Sequence, residues 1–312
     1  MRERLLAVVG AACLVALALV VRGAIVGGDD EGGSGGGRSD DGRPTVACEP
    51  ELADVCDQLA RAGAIGADPP TLELGDAAAP PDDVDAWITW DPAPAIADFD
   101  AGGDGVWGET TLLASGPLAL LGTAGDLAIA CGREPAWSCL QAATDAGQAI
   151  GVGDPSTAEG LARLLPIART YATDDDPDTL DAAGLRDLVE SPVGAQRDAR
   201  QGATSLATAP GRLNLVVGPR EVLASEAASA QGQNRGLVVA SPGPSARASI
   251  VVAGRRAGDT DAVADAVCGR PGGAATEVEA SLREVGASTR CEGDRVSEQL
   301  AGFLYQVREK VS

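Results

Sequence analysis

The chain has 312 residues, enough for one large domain or two lobes with a sizeable core. It carries 24 Lys+Arg against 46 Asp+Glu, a formal charge of −22, which argues against nucleic acid and anionic membrane surfaces as partners. It contains no histidine, which excludes Ser-His-Asp and Cys-His catalysis and histidine-held metals.

Taken in order, Arg2 and Arg4 precede an apolar run over residues 5–21, long enough to cross most of a bilayer. Positive charge ahead of the run keeps the N-terminus in the cytoplasm and sends the remainder outside. Residues 1–26 therefore read as an uncleaved signal anchor, a single-pass transmembrane helix. A cleaved secretory peptide and a lipid anchor at Cys13 are the alternatives. Residues 27–43, GGDDEGGSGGGRSDDGR, hold no side chain able to bury apolar surface and read as a flexible tether.

Beyond the tether, residues 49–62 have helical spacing, and residues 71–74 (TLEL) and 84–90 (VDAWITW) read as strands. A short helix is expected at 95–99, then apolar runs at 112–121 and 128–130, and a helix at 140–148. Residues 182–190 and 297–311 are amphipathic, and 213–218 and 250–254 are buried-strand runs. Strands alternating with helices predict a parallel α/β sheet, here in two lobes. Six cysteines fall in couples, Cys48/Cys56, Cys131/Cys139 and Cys268/Cys291, whose short intervals make sequential disulfides the simplest pairing. Bridges of this kind persist in an oxidising compartment. A redox or metal-thiolate role is the alternative, and no couple has CxxC spacing.

Residues 150–167, IGVGDPSTAEGLARLLPI, join an apolar run to an amphipathic segment. Ser156 and Glu159 have capping-box spacing, so a helix is predicted to start there. Its N-terminal N–H groups, with the hydroxyls of Ser156 and Thr157, make a candidate anion or carboxylate site. An ordinary capped turn explains the same residues.

The segments 45–63 (TVACEPELADVCDQLARAG), 85–99 (DAWITWDPAPAIADF), 112–125 (LLASGPLALLGTAG) and 150–168 follow one another in an order that resembles a family. So do 213–223 (LNLVVGPREVL) and 247–258 (RASIVVAGRRAG). The family is that of bacterial extracellular solute-binding proteins of the molybdate/sulfate type. The resemblance implies a type 2 periplasmic-binding-protein-like fold, α/β and two-lobed, behind the N-terminal transmembrane helix. Lobe 1 would comprise residues 44–118 and 245–312, and lobe 2 residues 119–244. It further implies a cleft closing on a small-molecule solute, with an ABC permease as a partner.

Two positions depart from the family pattern. Where the family presents a serine after the first strand, this chain has Glu49, and after the third strand it has Thr89-Trp90-Asp91. Neither favours an oxyanion, so a cationic, sugar-like or amino-acid ligand becomes credible. The candidate cleft residues are Glu49, Trp90, Asp91, Ser115, Ser156, Thr157 and Arg220. Trp90 floors a cleft or fills a core; Ser115 lines the hinge or starts a turn; Arg220 meets a ligand carboxylate or lies in solvent. Asp174–Asp176 lacks the spacing of a calcium loop and reads as solvated. With no histidine and no GxSxG or SxxK run, the reading is a binding protein and not an enzyme, with no cofactor or metal. A ligand-free structural or signalling ectodomain with the same fold is the alternative.

Overall fold

The computed structural model describes residues 42–103, 105–190, 195–196, 198–209, 211–243, 245–269 and 273–311. The signal anchor expected at 1–26, and the tether apart from its last two residues, lie outside them. Among the described residues no helix is long and apolar enough to cross a membrane.

Strand β1 (Val46–Cys48) turns through a 3-10 segment (Pro50–Leu52) into α1 (Ala53–Arg61). Next come β2 (Ala86–Asp91), every residue of which is buried, and α2 (Ala93–Asp100). The 14-residue β3 (Thr110–Thr123) is followed by α3 (Ala124–Cys131), α4 (Cys139–Asp145), β4 (Ile150–Gly153) and α5 (Ala158–Ala168). Then come α6 (Ala182–Val189), β5 (Ala195–Gln196), α7 (Ala199–Thr208), β6 (Leu215–Pro219), α8 (Arg220–Ala228), α9 (Ala230–Arg235) and β7 (Leu237–Ala240). The chain returns as β8 (Arg247–Gly254), α10 (Asp261–Cys268), α11 (Gly273–Glu284), β9 (Ser288–Thr289) and α12 (Glu298–Val311).

The strands run in the order β1-β2-β8-β3-β6-β4-β5, with β7 and β9 also paired to β3. Strand β3 serves two half-sheets in succession. As far as Pro117 it pairs with β8, and from Leu118 onward with β6 and β7. The amide of Leu118 donates to Ala246 O, so the outgoing and returning segments cross side by side. One half of the molecule is thus built on β1, β2, β8 and β9, and the other on β4 to β7. The described residues nonetheless form one compact unit.

The sheet is mixed, not parallel as expected. β1 and β2 are parallel, as are β4 and β6, but β8 lies between β2 and β3 and is antiparallel to both. A strand re-entering from the far half arrives in the opposite direction, and that connection is invisible to local periodicity. Residues 71–74 form no strand either. Thr71 makes an isolated bridge to Cys48, and the backbone then tightens into a 3-10 turn at Leu74–Asp76. The run 128–130 belongs to a helix, α3, capped by the Thr123 hydroxyl.

Helix α5 begins one residue later than its capping-box spacing suggests. The Thr157 hydroxyl accepts from Gly160 N at 3.0 Å and is the cap, while Ser156 bonds backward to Asp154 Oδ1. Strand and helix approach closely here. A Cβ on Gly160 would stand 1.9 Å from Asp154 O, and one on Gly153 2.1 Å from Gly160 O, so neither position admits a side chain. The three cysteine couples are disulfides: Cys48–Cys56, Cys131–Cys139 and Cys268–Cys291.

Candidate functional site

Where the two halves face each other, Glu49 follows the end of β1 and α5 begins at Ala158. Glu49 is 1% exposed. Its carboxylate accepts from Thr89 Oγ1 at 3.2 Å and from the backbone N–H groups of Ala158 and Leu74. A side chain of one half therefore occupies the first N–H of a helix belonging to the other. Three donors favour the ionised form, yet burial outweighs them and, helped by the charge of Glu51, pushes the Glu49 carboxyl up to about 8.

The next acid inward is Glu159, also buried. Its Oε1 meets Arg163 Nη1 at 3.3 Å and accepts from Ala199 N, at the start of α7, at 3.1 Å. Arg163 is fully buried and donates from Nη2 to Val152 O at 2.9 Å. Burial raises Glu159 to about 7, against the pull of Arg163 and with the push of Glu51 and Asp198. Charge removed from water in this way costs more than partial pairing returns.

Beside these groups, between the halves, lies a cavity of about 260 Å³. The first half contributes Glu51, Asp54, Trp90 and, from α11, Ser281 and Glu284; the second contributes Glu159 and the start of α7, Asp198 to Arg200. Arg200 donates from Nη2 to Glu284 O at 2.6 Å, which closes one side by linking α7 to α11. Asp198 caps α7 through Gln201 N at 2.6 Å. Trp90 is 1% exposed, and its indole Nε1 is buried without a hydrogen-bond partner. A second, larger cavity of about 690 Å³ lies beside the crossing segment, lined by Trp137, Arg169, Asp175 and Arg247 among others.

The structure distributes the seven candidate residues unevenly. Trp90 lines the cavity, and Glu49 sits behind it in the contact between halves. Asp91 is buried and accepts from Val296 N at 2.6 Å, holding the segment that leads into α12. Burial raises its carboxyl above the usual range. Ser115 is also buried, and its hydroxyl accepts from Arg247 Nη2 at 2.9 Å and Nε at 3.1 Å. It fastens the returning strand at the crossing and starts no turn.

Ser156 and Thr157 do not line the cavity, because their hydroxyls serve the turn and cap just described. Arg220 is exposed at the first residue of α8. Asp175 forms a two-pronged pair with Arg169, at 2.7 and 3.0 Å, and Asp176 caps a 3-10 turn through Asp178 N. Among the described residues no three acidic or cysteine side chains are grouped to hold a metal ion.

Sequence reasoning missed Glu51, Asp54, Asp198, Arg200 and Glu284. In a chain with 46 acids, no spacing marks the few that converge. The one local signal was Asp198, three residues ahead of Gln201 and so a helix cap.

No family model and no curated protein matches the sequence. Solved structures do match. Iron-bound HitA from Pseudomonas aeruginosa is 10% identical over 86% of this chain and 97% of its own, with a TM-score of 0.55. The apo ferric ion-binding protein A of Pasteurella haemolytica is 11% identical over 86% of this chain and 96% of its own, at 0.53. The fold is that of the type 2 periplasmic binding proteins.

Proposed function

We propose that this chain is an extracellular solute-binding protein, held to the cell membrane by residues 1–26, that closes its two halves over a small solute other than an oxyanion. The carrying observation is Glu49, whose carboxylate stands at the first N–H of α5. A helix N-terminus attracts anions, and here the chain's own buried carboxyl already occupies that position. A free oxyanion would meet a buried acid there, while the adjoining cavity is walled by further acids. The three disulfides and the apolar N-terminal run support a location outside the cytoplasm. An ABC permease is the partner that this arrangement serves, and no catalytic step is assigned.

The test is a thermal-shift screen of the full chain in detergent against amines, amino acids, neutral sugars, molybdate and sulfate. Stabilisation by a non-oxyanion member supports the proposal. Stabilisation by molybdate or sulfate alone refutes the exclusion of oxyanions, and a flat response to every member refutes solute binding. A second reading, a structural ectodomain whose halves are permanently joined, draws on the same Glu49–Ala158 contact and on the Arg200–Glu284 link. The flat response would favour it.

A further inference from the structure

The halves are joined by more than the two strands that cross between them. At the crossing β3 and β8 run side by side, where Leu118 N donates to Ala246 O and Arg247 donates to the Ser115 hydroxyl. Two adjacent strands define a single line about which the halves can rotate. Helix α12 adds an attachment of a different kind. It packs on α2 of the first half and on α5, α6 and the 3-10 turn Pro177–Thr179 of the second. Its buried Phe303, Leu304, Val307 and Val311 share one apolar core with Ile96 of α2 and Leu188 of α6.

Polar contacts fasten both sides. Toward the first half, the Arg308 guanidinium pairs with Asp100, and the Tyr305 and Phe99 rings meet with centroids 5.4 Å apart. Toward the second, Lys310 Nζ donates to Pro177 O at 2.5 Å and Arg186 Nη2 donates to Lys310 O. Any rotation about the crossing strands moves α2 against α6 and so breaks one of these sets. The second-half set is the weaker, since it has no ion pair or ring contact and the Arg186 side chain is half-exposed. Resting on the solute-binding reading above, we infer that α12 is a strap: it opposes separation of the halves, and the cavity opens to a solute only when the last turn of α12 releases the second half.

The experiment is amide hydrogen exchange of the full chain in detergent, resolved at single amides and run without a solute. Ala158 N donates to Glu49, which belongs to the other half, so its amide reports separation. In the wild type, Ala158 should exchange faster, relative to its intrinsic rate, than Leu120 and Val252 in the sheet core, because separation precedes global unfolding. Arg186→Met with Lys310→Met cuts the second-half fastening and should lower Ala158 protection by at least about fivefold, the worth of two hydrogen bonds. Arg283→Met removes a comparable exposed contact, to Glu279, that lies within one half, and should leave Ala158 unchanged. If the double variant fails to fold, Asp100→Asn loosens the first-half side and is read in the same way. The inference is overturned if Ala158 is as protected as the core in the wild type, if cutting the fastening leaves its exchange unchanged, or if Arg283→Met matches that effect. Lost protection with a flat solute screen would keep the strap and remove the solute; unchanged exchange with a positive screen would do the reverse.

Discussion

Replacing Glu49 with glutamine removes a titrating group from the contact between halves and keeps its size. The free carboxylate titrates near 4.5 and the buried one near 8, so across that interval the folded protein holds a proton that the unfolded chain has released. Stability from this group is complete below pH 4.5 and is lost as pH rises to 8. At about 1.4 kcal/mol per unit, the loss over the whole interval is on the order of 4–5 kcal/mol, and between pH 6 and pH 8 about 2 kcal/mol. Urea unfolding of the full chain, followed by tryptophan fluorescence, measures this directly. Between pH 6 and 8 the wild type should lose about 2 kcal/mol more than Glu49→Gln. Glu159, raised to about 7, adds a slope of the same sign to both proteins and cancels in the comparison. Parallel profiles would refute the claim that burial outweighs the three hydrogen bonds at Glu49.

Arg163→Met should destabilise by about 3–5 kcal/mol in calorimetry, because it leaves the buried Glu159 carboxylate without its cation. Raising pH from 6 to 8 should deepen that loss, since the variant's Glu159 resists ionisation further. Thr157→Ala removes the hydroxyl that caps α5 and should cost about 1 kcal/mol in urea unfolding. Gly160→Ala drives a methyl into Asp154 O and should cost well over 2 kcal/mol, read as a sharp fall in melting temperature or in folded yield. Replacing Cys131 and Cys139 together by serine opens a loop with a sequence separation of 8 and should lower stability by about 2–3 kcal/mol.

Much of the fold was legible because hydrophobic periodicity is a local property. The strand at 84–90 and the helices at 182–190 and 297–311 lie within two residues of β2, α6 and α12. The disulfide couples were legible from interval alone. What escaped depends on contacts distant in sequence. Residues 71–74 have strand-like composition but make only an isolated bridge at Thr71, and the parallel sheet expected from element order is interrupted by β8. The site was read less well for the same reason. Trp90 was found because an aromatic at a strand end is conspicuous. Ser156 and Thr157 were chosen for their hydroxyls, which the turn consumes. Glu51, Asp54 and Asp198 converge on the cavity only through tertiary packing of the 3-10 segment, α1 and the start of α7.

The position of β8 has a consequence for the order of assembly. A ribosome that has finished β3 has made both edges to which β8 will bond, those of β2 and β3, yet the strand that joins them ends only at Gly254. For more than a hundred residues of synthesis the first half-sheet has a missing middle. The inserted half, made between Ala124 and Ala240, meets no such wait, because its strands all precede β8. Folding then runs from the inside outward, with the later-made C-terminal segment acting as the keystone. Truncations that end before residue 247 should leave a folded inserted half joined to an incomplete partner, its β2 edge open to aggregation.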